Sequence, residues 1–330
     1  MPSRRKWLRI VVELTVLVLV LAFVWRSLAG AMQQLHEYQF QLQVRWLVVS
    51  GLLYLLGLLP MGVFWFYVLR ALGQHPQPAE TLRAFYIGHL GKYVPGKALV
   101  VILRTGLIRS ERVSAGVAAA SIFLETLTMM AVGAFLAAGI LALKPHADLT
   151  NKHPYLVPLA VGLMLLAGLP TLPPVFRRLA LRMRVGRNDP DIERKLRGVT
   201  WPLMGAGWLA VSAGWLLIGL SLWATLRSMG IPDLHPLLHL HFYVSAAALA
   251  VVAGFLSLLP GGAVVREVIL TAILGIYFSQ VIHADPQQAN PLVTAVVLRL
   301  VWLAAELILA ALLYLGLRRR PAIPATNRPV

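Results

Sequence analysis

Cysteine is absent from all 330 residues, so the chain can build no disulfide framework, thiol nucleophile or thiolate-ligated metal site. Acidic side chains are scarce as well. Thirteen Asp and Glu face 30 Lys and Arg, giving a formal charge of +17, which leaves few carboxylates for paired acid–base chemistry. The sequence contains neither a GxSxG elbow, nor an HExxH pair, nor a nucleotide-binding P-loop, so the usual hydrolase, zinc-protease and NTPase readings have no foothold. The basic excess does not point to nucleic acid, because the cations fall in short stretches between apolar runs. Cytoplasmic loops facing anionic leaflet lipid account for them.

Apolar residues make up 58% of the chain, and they are gathered into runs long enough to cross a bilayer. The windows lie near 7–29, 46–70, 114–143, 154–174, 200–228 and 291–317. The first carries a basic flank and a loose "SLA-G" cleavage resemblance, but its length fits an uncleaved helix better than a signal peptide. The predicted fold is an all-α polytopic membrane protein, a single integral membrane domain over 1–330 with six full spans. Trp7, Trp46, Trp201 and Tyr314 sit near span ends as interfacial anchors.

Two pieces, about 80–110 and 237–282, do not fit that pattern. Each is broken by Pro-Gly: "GKYVPGKALVVILR" from Gly91 and "LLPGGAVVREVIL" from Leu258. Leu82–Val94 would rise only about 20 Å as a helix, against roughly 30 Å of hydrocarbon. The expected form is a re-entrant hairpin with Pro95-Gly96 at its tip, its backbone satisfied by protein or a watery cavity. The second piece reads either as a hairpin with its tip at Pro260-Gly261-Gly262 or as two full spans, which would make eight. The shared Pro-Gly-x-Ala-x-Val pattern favours two hairpins and a repeat, with halves 1–145 and 154–317. Lys/Arg bias places both termini, the basic loop 175–199 and the tail 318–330 in the cytoplasm of a bacterial-type inner membrane. With three full spans per half, the repeat is inverted, as in many transporters. The basic loop reads as an orienting signal, with an amphipathic surface helix on anionic lipid as the alternative.

Ionisable side chains inside such segments are costly and mark pathways or sites. Lys92 and Lys97 flank the first tip, and Arg266 and Glu267 follow the second. Glu125 and Arg299 fall at nearly corresponding places in the two halves. Lys97 and Arg266 stand beside half-helix N-termini, where free N–H groups and the helix dipole favour an anion. Glycine at each tip lets backbone approach a ligand. Together Lys92, Lys97, Arg266, Glu267, Glu125 and Arg299 form the expected substrate site, suited to a phosphate-bearing head group. The blander expectations are that Arg104 snorkels to the interface, that Glu125 accepts from Lys92 or Lys97, that Arg299 and Glu306 share a neighbour, and that Glu13 is an interfacial carboxylate.

"LSLLPGGAVVRE" resembles the Pro-Gly-Gly…Arg-Glu signature of the flippase-like membrane family named for the transmembrane region of lysylphosphatidylglycerol synthase. "GKYVPGKALVVILR" is similar to that family's earlier Pro-Gly segment. The resemblance implies lipid translocation or a lipid-linked role over most of the chain, and attaches to Pro95, Gly96, Pro260, Gly261, Gly262, Arg266 and Glu267. The family often has a further glycine shortly before Arg-Glu, where this chain has Val264 and Val265. Its bifunctional members carry an aminoacyl-transferase domain after the membrane part, and the expectation here is transport without that synthase activity.

The expected partners are therefore membrane lipids, anionic or phosphate-linked, in a homo-oligomer or monomer, with no nucleic acid and no cofactor. A membrane-embedded lipid-modifying enzyme using Arg266-Glu267 and an anion channel lined by two basic hairpins are the rival readings. His235, His239 and His241 in "LHPLLHLH" resemble a metal patch but read better as interfacial histidines.

Overall fold

The computed structural model describes residues 42–93, 98–110, 112–143, 155–185, 190–231, 234–257, 259, 262, 264–282 and 290–318. The first apolar window, with Trp7 and Glu13, lies outside them. So do Pro95, Gly96, Lys97, Pro260 and Gly261 at the two tips, and residues 319–330.

Among the described residues the regular structure is helical. The elements are α1 (Val44–Ala71), α2 (Pro78–His89), α3 (Ala98–Ile108), α4 (Ala115–Leu143), α5 (Leu156–Gly168), α6 (Pro173–Arg182), α7 (Ile192–Leu196), α8 (Trp201–Ser228), α9 (Leu240–Leu256), α10 (Val265–Ile276) and α11 (Pro291–Arg318). Helix starts follow local chemistry. Thr200 caps α8 by accepting from Leu203 N–H at 3.4 Å. Asn290 Oδ1 accepts from Leu292 and Val293 N–H at 3.0 and 3.2 Å before α11. Both side chains satisfy donors that the first helical turn leaves open.

Helices α1, α4, α8 and α11 are long and apolar enough to cross a membrane. The window expected at 154–174 is not one straight span. Its helix passes through a 3₁₀ turn at Leu169–Thr171 and bends by 68° into α6. Leu169-Pro170 and Pro173-Pro174 explain the break, since proline removes the N–H that would continue the ladder. Helix α6 opens the predicted basic loop as an ordered element, exposing Arg178 and Arg182 beside Leu179 and Met183.

The long helices expose apolar side chains outward. Val48, Leu52 and Leu56 repeat every fourth residue along one face of α1, each more than half exposed. A face of that kind belongs against lipid. The core instead joins α1 to α8 through small residues. Ser50 Oγ donates to the Ser221 carbonyl, and Ser221 Oγ donates to the Ser50 carbonyl, both at 2.8 Å. Gly57 and Gly214 bring the two backbones so close that a Cβ on Gly57 would stand 2.9 Å from Gly214 O. Small-residue contact of this type substitutes for the hydrophobic drive that lipid does not supply.

Helix pairings recur in matched sets. The neighbours α1–α2, α2–α3, α3–α4 and α1–α4 of the first half have counterparts in α8–α9, α9–α10, α10–α11 and α8–α11. Across the halves, α4 packs on α9 and α8, while α11 packs on α2 and α1. Each contact maps onto another when α1–α4 are exchanged with α8–α11.

Candidate functional site

The two Pro-Gly segments are built from short helices whose arms touch backbone to backbone. In the first, a Cβ on Gly91 would meet Val100 N at 2.5 Å and Leu99 C at 2.7 Å. In the second, a Cβ on Gly262 would meet Gly254 Cα at 2.8 Å, and Gly262 itself sits at φ +69°. Only glycine permits both the approach and that conformation. The arms α2 and α3 have 12 and 11 residues, about 18 and 17 Å of helix. Just before α10 stands Val264 at φ 69°, ψ −57°, a region that β-branched residues rarely enter.

The segments converge on one cavity of about 80 Å³, room for several waters. Lys92, His89 and Arg104 reach it from the first segment, Gly262 and Arg266 from the second. Tyr54, Glu125, Trp215 and Trp302 complete its wall from α1, α4, α8 and α11.

Its charges are paired across elements. Arg104 Nη1 donates to Glu125 Oε2 at 2.6 Å, with the side chains 3% and 1% exposed. The guanidinium also lies 4.2 Å from the Phe85 ring centroid, a stacking that favours a cation. Arg104 therefore does not snorkel, and Glu125 takes Arg104, not Lys92. The proximity of Gly88 to the Arg104 stem explains this, because a Cβ there would meet Arg104 Cγ, so the stem is directed inward between α2 and α3.

Lys92 donates instead to Glu306 Oε1 at 2.5 Å and to Tyr54 OH at 3.1 Å. Tyr54 OH donates to the same Glu306 oxygen. Arg299 Nη1 donates to Glu267 Oε1 at 2.7 Å. Arg299 and Glu306 thus have separate partners, one on α10 and one beside α2, although seven residues place them on one face of α11. The two inter-helix pairs echo each other: Arg104–Glu125 ties α3 to α4, and Glu267–Arg299 ties α10 to α11 with the signs reversed.

Arg104 Nε is also buried without a partner, but Arg266 differs from Lys92 and Arg104 in having no hydrogen bond to a carboxylate among the described residues. It is 7% exposed, in the first turn of α10, with its guanidinium carbon 4.4 Å from the Trp302 ring centroid. Trp302 is fixed there by donating to Ser221 Oγ at 2.8 Å and by stacking on Tyr54 at 4.3 Å. Arg266 Nη2 is buried without a hydrogen-bond partner. A buried donor of that kind costs free energy until an acceptor arrives.

Of the residues expected at the site, Lys92, Glu125 and Arg266 meet in the cavity, and Glu267 with Arg299 forms a pair alongside. Lys97 lies outside the described residues. Sequence reasoning missed Tyr54, His89 and Trp302, and undervalued Arg104 and Glu306; the rule that intramembrane charge is functional already covered the last two. The histidine cluster makes no metal site among the described residues. His239 Nδ1 shares a 2.8 Å hydrogen bond with Tyr277 OH, which is 2.9 Å from Tyr243 OH.

Comparison with known families finds one match of wide coverage: residues 10–310 fit the family model described as lysylphosphatidylglycerol synthase TM region. No curated protein and no solved structure matches the chain.

Proposed function

Because the chain belongs to the lysylphosphatidylglycerol synthase transmembrane-region family, a multi-pass membrane family tied to lipid, we propose that it moves a phosphate-bearing lipid between the leaflets of the bilayer. The observation that carries the reading is Arg266. A buried guanidinium with an open donor, facing a cavity where both Pro-Gly segments end, calls for an oxyanion, and guanidinium matches phosphate geometry better than any other side chain. Lys92 adds a second, more mobile cation. Arg104 is already neutralised by Glu125, so its part is to hold the cavity wall.

The topology that serves this function has six full spans and two re-entrant hairpins related by inverted repetition, with both termini in the cytoplasm. The matched helix pairings support such a repeat, and the length of α2 and α3 supports a first hairpin that turns back before crossing. Rocking of one half against the other would expose the cavity to each leaflet in turn. Nothing in the chemistry of the cavity requires bond making, so the reading is transport and not catalysis.

The test is head-group movement in proteoliposomes with fluorescent phospholipids and a membrane-impermeant quencher. Wild type exposes inner-leaflet lipid; Arg266→Ala falls to the rate of empty liposomes, and Arg266→Lys recovers only part of the loss. Wild-type rates in correctly folded Arg266→Ala would overturn the proposal.

A further inference from the structure

Glu306 is the carboxylate on which the Lys92 ammonium rests. Its Oε1 receives Lys92 and Tyr54 and lies 3.7 Å from His89 Nε2, while Oε2 is buried with no hydrogen-bond partner. Two hydrogen bonds and the more distant His89 contact fall on one oxygen, and none serves the other. Buried carboxylates gain by sharing donors across both oxygens; Glu267 Oε2 is unpartnered as well, but Glu306 is the one whose counterion is a lysine facing the cavity. The Glu306 side chain is 3% exposed, so water does not make up the difference.

The surroundings decide what Glu306 can exchange. Lys92 and Tyr93 face it from the 3₁₀ turn, His89 from α2, Tyr54 from α1, and Arg266 and Arg299 exert charge from α10 and α11. His89 Nδ1 lies 3.4 Å from Arg104 Nη2. Arginine can only donate, so Nδ1 accepts and the histidine proton sits on Nε2, toward Glu306. Arg266 stacks on Trp302 and is fixed. Lys92 is the cation that can turn, because its ammonium is a compact charge on a flexible stem and it already lines the cavity.

We propose that Glu306 carries a proton in exchange for Lys92: an incoming phosphodiester anion takes the Lys92 ammonium, and Glu306, released from it, takes on Oε2 the proton of a hydronium ion that enters from the cavity along the path Lys92 vacates. The ammonium stays protonated throughout; one N–H···O contact passes from carboxylate to phosphate, and one O–H bond forms on Glu306 as one O–H bond of the hydronium breaks, leaving water. The buried charge is thereby kept balanced, as the cost of a lone carboxylate in such a site demands. This rests on the anion site proposed above and adds its coupling: the anion and a proton enter together, so a proton gradient can drive lipid across.

The sign follows from linkage. In the exchange the anion-bound state holds one proton more than the free state, so binding strengthens as pH falls, by up to about tenfold per pH unit. The probes are dihexanoyl phosphatidylglycerol and dimethyl phosphate, both non-titrating phosphodiesters, added to detergent-solubilised full-length protein in weak buffer while proton uptake and binding are recorded. Wild type takes up about one proton per anion bound. Glu306→Gln, whose amide oxygen still accepts from Lys92 and Tyr54, binds with no uptake and no pH dependence. Binding by the lipid probe alone, with uptake, assigns the site to a lipid head group, and binding by both probes assigns it to the phosphate itself; the exchange stands in either case. Wild-type binding without proton uptake overturns the exchange and leaves the anion site intact, as does uptake that survives Glu306→Gln. Failure of both probes to bind overturns both.

Discussion

Arg104 and Glu125 stand 21 residues apart, on α3 and α4, and form a 2.6 Å ion pair in which neither side chain is more than 3% exposed. This pair locks the first Pro-Gly segment to the span that follows it, and Trp65, donating to Ser121 at 2.9 Å, ties α1 to the same span. Glu267–Arg299 joins the same elements in the second half, at 14% and 13% exposure.

The difference in burial sets the expected costs. Glu125→Ala leaves Arg104 charged in a site water does not reach, a loss of about 3–5 kcal/mol. Glu267→Ala, where water has access, costs about 1–3 kcal/mol. Thermal unfolding in detergent ranks the two, and the double variant Arg104→Met/Glu125→Leu regains most of the first loss. Equal effects would mean that both pairs sit in the same dielectric setting.

Val264 holds φ 69° with a side chain 68% exposed, so it bears backbone strain and buries little. Glycine at this position relieves about 1–3 kcal/mol of strain and gives back about 0.5–1 kcal/mol in unfolded-chain entropy. Val264→Gly is expected to raise the melting temperature, and Val265→Gly, inside α10, to lower it. A lower melting temperature for Val264→Gly would show that the turn is held by something other than its conformation.

The absence of native cysteine makes single-cysteine labelling clean. With the topology proposed above, Arg109→Cys and Arg178→Cys react with an impermeant maleimide from the cytoplasmic side and Leu237→Cys from the outer side. Leu259→Cys, next to the second tip, is not reached from the cytoplasm. Labelling of Leu259→Cys in inside-out vesicles would replace the second hairpin with two full spans.

Much of the architecture was legible because hydrophobicity is a local property. Long apolar windows at 46–70, 114–143, 200–228 and 291–317 became α1, α4, α8 and α11 within a residue or two. The Pro-Gly breaks could be read the same way, since proline and glycine act on the chain where they stand. The bend after α5 was equally present in Pro170, Pro173 and Pro174, but window averaging concealed it. Charge partners were another matter. Spacing on one helix suggested that Glu306 and Arg299 belonged together, yet their partners come from α2's 3₁₀ extension and from α10, at separations of 214 and 32 residues.

The sequence alone determined that this chain lives in a membrane, that its two Pro-Gly segments are exceptional, and that Lys92, Arg266, Glu267, Glu125 and Arg299 are the charges to watch, because burying an ionisable group in lipid is expensive wherever it occurs. Only the tertiary structure decided which of them are neutralised. Ion pairing depends on distances of a few ångströms between helices far apart in sequence, and it is that packing which pairs Arg104 with Glu125, loads the donors of Glu306 onto one oxygen, and leaves Arg266 with a buried hydrogen-bond donor beside the cavity.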